Sequence, residues 1–208
     1  TLEVWDEALC RVGATLAAAR LDALGRLAPH ARKRYEEIAG RGTLDLGYAA
    51  GWLGEERARE LVQSPGAMDE AELAELLRAA LEEVRHRELE RGVSLVGPQR
   101  DDAVVRLSAE AGEWLDARAY ASQGDQRTCA LALKLAEFDL LSEALREEPV
   151  LLLDDVFSEL DPMRRAWLSD AVRSAGQALL TSAEPGAVEA AEAGRLIEVV
   201  SGELSERA

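Results

Sequence analysis

The stretch "LLLDDVFSELDP", residues 151–162, decides how the chain is interpreted. Four aliphatic residues, Val150 to Leu153, run directly into Asp154 and Asp155. A continuous apolar run of this length is typical of a strand that is buried on both faces in a parallel sheet. In open α/β sheets, ligands bind beyond the carboxyl ends of such strands. The two acids are therefore expected at a ligand site.

These acids have a plain alternative explanation, because loops that follow strands are solvated and often acidic. Asp161 before Pro162 is a ready N-cap, with proline at the first helical position. That explanation covers Asp161 well but covers Asp154 and Asp155 less well, since adjacent like charges repel without a cation. The first acid of such a pair can hold Mg²⁺ through water, and the second can orient or deprotonate a water that attacks phosphate.

A second motif, "SQGDQR" at residues 122–127, opens a strongly periodic helix predicted over 125–145. Ser122 and Asp125 have capping-box spacing, so an ordinary helix start is one interpretation. The other is an anion site that suits phosphate, with the Ser122 hydroxyl, close approach at Gly124 and exposed N–H groups. Gln126 and Arg127 would add donors beside it.

The rest of the chain predicts an α/β protein with a small helical lobe. Residues 1–92 indicate a short antiparallel helix pair, with Pro29 ending or kinking the first helix and Gly92 stopping the second. The predicted seam of the first helix is Leu2, Trp5, Leu9, Val12, Leu16, Ala19 and Ala23. Residues 93–208 predict a strand-turn-strand at 93–107, the helix from 125, a helix after Asp161, a buried strand "QALLTS" and one closing edge strand.

Composition limits the partners and the compartment. The net charge of −16 is uneven: residues 1–100 hold 14 Lys and Arg against 18 Asp and Glu, net −4, which leaves −12 for residues 101–208. Any nucleic-acid contact must therefore come from local patches. Cys10 and Cys129 indicate buried thiols in a reducing compartment. No apolar run approaches 18 residues, so we expect a cytoplasmic protein without a membrane span.

The order of the motifs resembles the C-terminal half of the ATPase head in ABC-type ATPases of the SMC class, and more narrowly the RecF family. The segments that carry the resemblance are "SQGDQRTCALALKLAE", "LLLDDVFSELD" and "GPQRDD". The resemblance implies a head half at 93–208 and a second, helical lobe at 1–92. It also implies ATP and Mg²⁺ as cofactors.

The resemblance assigns roles residue by residue. Ser122, Gln123 and Gly124 would contact the γ-phosphate of ATP held by the opposite subunit. Asp154 would be the Walker B acid that serves Mg²⁺ through water, and Asp155 the catalytic base. Most relatives in the wider class carry glutamate there, so slow hydrolysis is expected. Ser158 and Asp161 would form the D-loop, and Thr181 or Ser182 would occupy the switch position.

No G-x-x-x-x-G-K-[ST] occurs in the sequence, so the chain alone is expected to be inactive. In the family that P-loop lies N-terminal to the helical lobe. RecF-like proteins bind duplex DNA at single-strand junctions in repair, replication and recombination, form ATP-dependent homodimers and hand over to RecR. The basic residues considered for DNA contact are Arg26, Arg32, Lys33 and Arg34, and Arg85, Arg87 and Arg91. A solvated helix face is the alternative for each.

Three other interpretations compete with this one. A transporter nucleotide-binding subunit would carry an LSGGQ-like signature, glutamate at 155 and a switch histidine, and the sequence has none of these. A long-armed SMC head would need far longer arms between its halves. A non-enzymatic helical interaction module, in which Asp154 and Asp155 are vestigial, stays open.

Overall fold

The computed structural model describes residues 2–66, 69–109, 113–183 and 194–207, with the side chains of residues 158, 159 and 207 excepted. The helices are α1 Leu2–Ala39, α2 Glu55–Gln63, α3 Glu70–Arg91, α4 Ala117–Tyr120, α5 Gln123–Leu145 and α6 Pro162–Ser174. The strands are β1 Thr43–Ala49, β2 Asp102–Ser108, β3 Leu115–Asp116, β4 Leu151–Asp154, β5 Ala178–Thr181, β6 Leu196–Val200 and β7 Glu203–Arg207. A 3₁₀ turn, Val156–Glu159, follows β4.

The predicted antiparallel helix pair is confirmed in α1 and α3. Asp6 near the start of α1 pairs with Arg85 near the end of α3, whereas Thr15 bonds Glu70 at the start of α3 at 2.6 Å. Asp69 caps the N-terminus of α3, and Gly92 ends the helix in the left-handed conformation. The predicted stop of the second helix at Gly92 is therefore confirmed.

The predicted seam of α1 is wrong. The face that packs against α3 is made of small residues and one leucine: Cys10, Gly13, Ala14, Ala17 and Leu21. The larger predicted residues are exposed, Trp5 at 74% and Val12 at 62%. Because α1 carries apolar residues on two faces, its period alone could not choose between them. Small side chains on one face let α3 approach closely, and that decided the packing.

Pro29 does not end the first helix, and the alternative, a kink at Pro29, stays a prediction. α1 runs unbroken from Leu2 to Ala39 with Pro29 inside it. An internal proline costs a helix about 3 kcal/mol because one N–H is missing and the ring crowds the preceding turn. Burial beyond the proline offsets that cost, since Ala31, Tyr35 and Ile38 are each at most 5% exposed.

Within the described residues, the strands form three small sheets. β1 and β2 pair antiparallel from Thr43 opposite Ser108 to Ala49 opposite Asp102, and β3 extends this sheet. β4 and β5 pair parallel, from Leu151 opposite Ala178 to Asp154 opposite Thr181. β6 and β7 form an antiparallel hairpin.

Three strand predictions need correction. No strand forms at 93–96, because side chains take the place of a sheet partner: Glu88 accepts from the Leu95 N–H at 2.6 Å, and Ser94 and Gln99 donate to the Val96 carbonyl. β4 and β5 are not buried on both faces, as Leu152 is 70% and Leu179 is 53% exposed. The closing strand is a hairpin, whose turn has positive φ at Ser201 and Gly202.

Two apolar clusters form the core. One joins the start of α1 to α2, α3 and the end of β1, and the other joins the end of α1 to β1, α5, β4 and α6. α1 and β1 contribute to both clusters. The division into lobes at 92/93 remains a prediction.

Candidate functional site

The carboxyl ends of β4 and β5 bring together three of the predicted catalytic residues. Asp154 lies opposite Thr181 in the parallel register. The Thr181 hydroxyl donates a short hydrogen bond to Asp154 Oδ1. The backbone N–H of Asp155 donates to the carbonyl and to the hydroxyl oxygen of Thr181, each at 3.1 Å. The two strands thus hold both acids and the hydroxyl at one edge of the sheet.

Asp155 has an uncommon backbone conformation. Its φ is 48° and its ψ is 29°, in the left-handed region, and it precedes the 3₁₀ turn. Aspartate tolerates this region better than most residues, and such conformations cluster at functional sites. The chain leaves the direction of β4 at this residue. Asp154 is therefore the last residue of the strand, whereas Asp155 belongs to the turn that follows it.

The two carboxylates at this edge can supply only some of the ligands of a magnesium ion, and water and phosphate would supply the others. Among the described residues, no group of three or more His, Cys, Asp or Glu side chains is arranged to hold a metal. Asp154 and Asp155 are both exposed. Protein sites for Mg²⁺ commonly use one or two carboxylates with waters and substrate phosphates, which is what these two exposed acids can offer.

The second motif starts α5 as predicted. Ser122 is the N-cap: its hydroxyl oxygen accepts from the Asp125 N–H at 3.2 Å, and its O–H donates to Asp125 Oδ2 at 2.7 Å. Gln123 lies in the first turn and is exposed. An N-cap serine at the start of a helix is compatible with both interpretations, an ordinary helix start and an anion site.

The side-chain amide of Gln126 is bonded within the fold, whereas the sequence predicted it as a phosphate donor. Its side-chain amide donates to the carbonyl oxygens of Ala117, Arg118 and Ala121 at 3.2, 3.2 and 3.3 Å. In this arrangement Gln126 fastens α4 and the following loop to α5. Its predicted nucleotide contact would require that these bonds be given up.

Of the two residues predicted to form a D-loop, Asp161 lies at the start of α6 and Ser158 lies in the 3₁₀ turn before it. Asp161 caps the helix, accepting from the Met163 and Arg164 N–H groups at 3.0 Å each, so the predicted N-cap is confirmed. The side chain of Ser158 lies outside the described residues. Its backbone is in the 3₁₀ turn that leads from Asp155 to this helix.

Arg164 was missed by sequence reasoning. Its guanidinium lies between the two motifs, with Nη2 3.7 Å from Asp125 Oδ1 and Nη1 3.3 Å from Asp161 Oδ2. Its spacing of three from Asp161 was the available signal, since residues at i and i+3 on a helix face one another.

The basic residues considered for DNA contact differ in how closely they contact carboxylates within the fold. Arg34 bonds Asp139 and Glu37, Arg32 bonds Asp45 at 3.0 Å, and Arg85 bonds Asp6. Arg26 lies 3.9 Å from Asp22, and Lys33 lies 4.0 Å from Glu37. Arg87 and Arg91 are exposed on α3, and neither has an ion pair within the described part of the chain. The cations with the weakest internal contacts are therefore Lys33, Arg87 and Arg91.

The "GPQRDD" segment fastens the loop after α3 to β1 and the turn that follows it. Asp101 accepts from the Tyr48 hydroxyl at 2.7 Å and from the Trp52 indole N–H at 3.1 Å. Arg20 donates to the Pro98 carbonyl at 2.5 Å. Burial raises the pKa of the Asp101 carboxyl against the lowering effect of these hydrogen bonds and of Arg20. The motif therefore has a structural explanation.

No family model matches the chain. The curated proteins similar to it include the "DNA replication and repair protein RecF" of Streptomyces avermitilis, 44% identical over 203 residues, which are 97% of this chain and 50% of that protein. The RecF proteins of a Nocardioides and an Arthrobacter species are 42% and 38% identical over 98% and 99% of this chain, and over 47% and 54% of their own lengths.

Solved structures agree with these relatives. The recombination mediator protein RecF of the RecFOR pathway, solved as RecF-ATPrS and as RecF-ATP, superimposes with TM-scores of 0.77 and 0.76 at 28% identity. Each match covers 100% of this chain and 50% of the solved chain. An SMC ATPase structure shares the fold with a TM-score of 0.53 at 11% identity, over 92% of this chain and 89% of its own.

The predicted resemblance and fold class are both confirmed by these comparisons. The chain is homologous to RecF proteins over nearly its whole length, has the fold of the C-terminal half of the RecF and SMC ATPase head, and spans about half the length of the curated relatives it matches.

Proposed function

We propose that this chain supplies half of a RecF-type ATP site, in a DNA repair protein that dimerises around ATP and binds DNA. The observation that carries the proposal is the convergence of Asp154, Asp155 and Thr181 at the ends of the parallel strands β4 and β5. It is supported by the 44% identity to a RecF protein and by likeness to RecF solved as RecF-ATP.

In this proposal Asp154 would hold Mg²⁺ through water, and the Thr181 hydroxyl fixes the orientation of its carboxylate. Bound magnesium would neutralise phosphate charge that develops as the γ-phosphoryl group transfers. Asp155, turned away from the strand by its left-handed backbone, accepts the proton of the attacking water. Aspartate reaches one methylene less far than glutamate, so hydrolysis is slow.

The α5 start serves the opposite subunit. Ser122, Gln123 and Gly124 present a hydroxyl and first-turn N–H groups, which favour a phosphate through hydrogen bonds and the helix dipole. A site divided in this way makes ATP the bridge between two subunits. Ser158 and Asp161 then belong to the segment that crosses the dimer interface.

A complementing segment with a P-loop would complete the other half of the site. The exposed face of β4 and β5 supports this, because Leu152 and Leu179 lie opposite each other in the register and are 70% and 53% exposed. A sheet of two strands is marginally stable without further cover. We propose that the complementing segment packs on this face.

DNA contact is proposed at local cations, since the chain as a whole is strongly acidic. Lys33, Arg87 and Arg91 have the weakest internal contacts, and they are preferred over Arg34 and Arg85. A junction of double- and single-stranded DNA and a RecR-type mediator protein are the proposed partners. Within the described helices, none is long and apolar enough to cross a membrane.

The test is calorimetric titration of Mg-ATP into the 208-residue chain and into the complemented protein. By complemented protein we mean this chain joined to the part of the Streptomyces avermitilis relative that it does not match, where the family resemblance places the P-loop. We expect no binding by the chain alone, and binding with slow turnover by the complemented protein. Tight binding by the chain alone would contradict the divided site.

The Asp154→Asn variant of the complemented protein tests whether Asp154 serves the metal. Turnover should fall at least about 100-fold if Asp154 serves the metal, while the exposed control Asp170→Asn on α6 should keep it. Unchanged turnover in Asp154→Asn would remove Asp154 from the mechanism.

A helical interaction module is the second candidate, favoured by the exposed Trp5 and Val12 on α1. Such a module would keep its partner binding unaltered in Asp154→Asn, and the complemented protein would show no turnover.

A further inference from the structure

A chain of polar contacts joins the start of α5 to the start of α6. The Ser122 hydroxyl donates to Asp125 Oδ2 at 2.7 Å, and the other oxygen of Asp125 lies 3.7 Å from Arg164 Nη2. Arg164 Nη1 lies 3.3 Å from Asp161 Oδ2. Asp161 in turn accepts from two N–H groups of α6. Four side chains therefore run from one proposed ATP motif to the next.

Arg164 is incompletely bonded in this arrangement. Its side chain is 17% exposed, and its Nε is the one buried side-chain polar atom among the described residues that has no hydrogen-bond partner. Its 3.7 Å approach to Asp125 is an ion pair and is too long for a hydrogen bond. A buried guanidinium with an unused N–H is ready to accept a further carboxylate contact, since its fork suits bidentate pairing.

Asp125 is the residue that can change partner. In the present arrangement, the Ser122 hydroxyl supplies a donor to its carboxylate. If Ser122 donates to a phosphate oxygen, Asp125 loses that donor while remaining largely buried, at 24% exposure. Arg164 Nη2 lies 3.7 Å from Asp125 Oδ1, so it is a charged donor within reach and gains from closing the gap.

We propose that Arg164 is a positioning residue that couples occupancy of Ser122 to the placement of Asp161 and the D-loop. The proposal rests on the proposed function, because it takes phosphate as the ligand of Ser122. When the Ser122 hydroxyl donates to phosphate, the Asp125 carboxylate pairs more closely with the Arg164 guanidinium. This contact draws Arg164, and with it the start of α6, towards α5. ATP bound at one motif thereby sets the geometry of the other.

The test is a double-mutant cycle in the complemented protein. The variants are Ser122→Ala, Arg164→Met and their combination, with Arg173→Met, an arginine near the end of the same helix, as the matched control. The readouts are the dissociation constant of the ATP-dependent dimer by sedimentation velocity, kcat, and the thermal midpoint. The thermal midpoint reports any loss of fold.

Arg164→Met should weaken the ATP-dependent dimer about ten-fold or more, and the combined variant should be no weaker than Ser122→Ala alone. Arg164→Lys should recover only part of the loss, because an ammonium group cannot bridge two carboxylates as a guanidinium does. Arg173→Met should match the parent protein. A purely structural role would lower the thermal midpoint without this non-additivity.

Any of three outcomes would overturn the coupling. Either the effects of Ser122→Ala and Arg164→Met multiply in the combined variant, or Arg164→Met binds as tightly as Arg173→Met. If Ser122→Ala itself leaves the dimer unchanged, the phosphate role of Ser122 fails, and the coupling fails with it. Should Arg164→Met not fold, the isosteric Asp125→Asn replaces it in the cycle, under the same criteria.

Discussion

Arg34 on α1 bonds both carboxylate oxygens of Asp139 on α5, with Nε to Oδ2 and Nη2 to Oδ1 each at 2.7 Å. The guanidinium also lies 5.9 Å from the centre of the Trp167 ring on α6. These contacts join the first helix of the chain to two helices that carry the candidate site. The hydrogen bonds to Asp139 raise the pKa of Arg34, so its charge is held at every ordinary pH.

Replacing Arg34 by methionine should lower the free energy of unfolding by about 1–3 kcal/mol, because Asp139 is left half-buried without its donors. Lys33→Met is the matched control, since Lys33 is 68% exposed and lies 4.0 Å from Glu37. Urea denaturation of the 208-residue chain measures both. Equal stability of the two variants would show that the pair contributes nothing measurable.

The ion pairs of Arg32 and Arg34 determine which variants can test DNA binding. Charge reversal at Arg32 and Arg34 would confuse loss of DNA binding with loss of stability, because both residues hold ion pairs within the fold. In the complemented protein, Arg87→Glu with Arg91→Glu should weaken junction DNA binding and reduce the slope of log K against log salt by about 2. An unchanged slope would remove this patch of α3.

Gly124→Ala should separate stability from nucleotide binding. An added Cβ would meet Arg164 Nη1 at 3.4 Å, an ordinary contact, so the chain itself has room. Helix propensity should then hold or raise the free energy of unfolding, by up to about 1 kcal/mol. ATP-dependent dimerisation should nevertheless fall, because the methyl group would obstruct phosphate approach.

Gly13→Ala is the contrasting variant, since its Cβ would lie 2.9 Å from Leu77 Cδ2 and 3.3 Å from Pro98. It should lower stability despite the same gain in propensity. If Gly124→Ala dimerises with ATP like the parent, close approach at this glycine is not needed.

Asp101 should make stability depend on pH in a defined direction. Its folded pKa is raised by burial above the ordinary value of 3.8, so its contribution is fully present below that value and is lost as pH rises through the folded pKa. The stability of the parent relative to Asp101→Asn should therefore decrease as pH rises from below 3.8 through the raised pKa of the folded state. Urea midpoints at several pH values measure this difference. A rise over the same interval would mean that hydrogen bonding from Tyr48 and Trp52 outweighs burial.

Both cysteines should resist alkylation in the folded chain. Cys10 is 1% and Cys129 is 5% exposed, and burial raises the pKa of the Cys129 thiol to about 11. Little thiolate is present at about pH 8, so labelling should require opening of the structure. Labelling rates with and without urea provide the measurement, and rapid modification of the folded chain would contradict this burial.

Local signals in the sequence were enough to predict most elements and the position of the two acids at the end of β4. The N-caps at Asp69, Ser122 and Asp161 and the stop at Gly92 depend on residues within a few positions of one another. The acids at the end of β4 were found because a strand followed by Asp-Asp is a local pattern. Thr181 was expected at the switch position, and the parallel register placed it opposite Asp154.

What only the tertiary structure decided were choices between locally equal alternatives. α1 carries two apolar faces, and close approach by α3 selected the one with Gly13, Ala14 and Ala17. Nothing in the sequence indicated that Arg34 has a partner, but in the folded chain it bonds Asp139, which is 105 residues away. Arg164 became part of the candidate site when α5 and α6 brought Asp125 near it. Sequence periodicity and spacing report forces within a few residues, whereas partner choice depends on side chains that are distant in the chain and meet only after the core has closed.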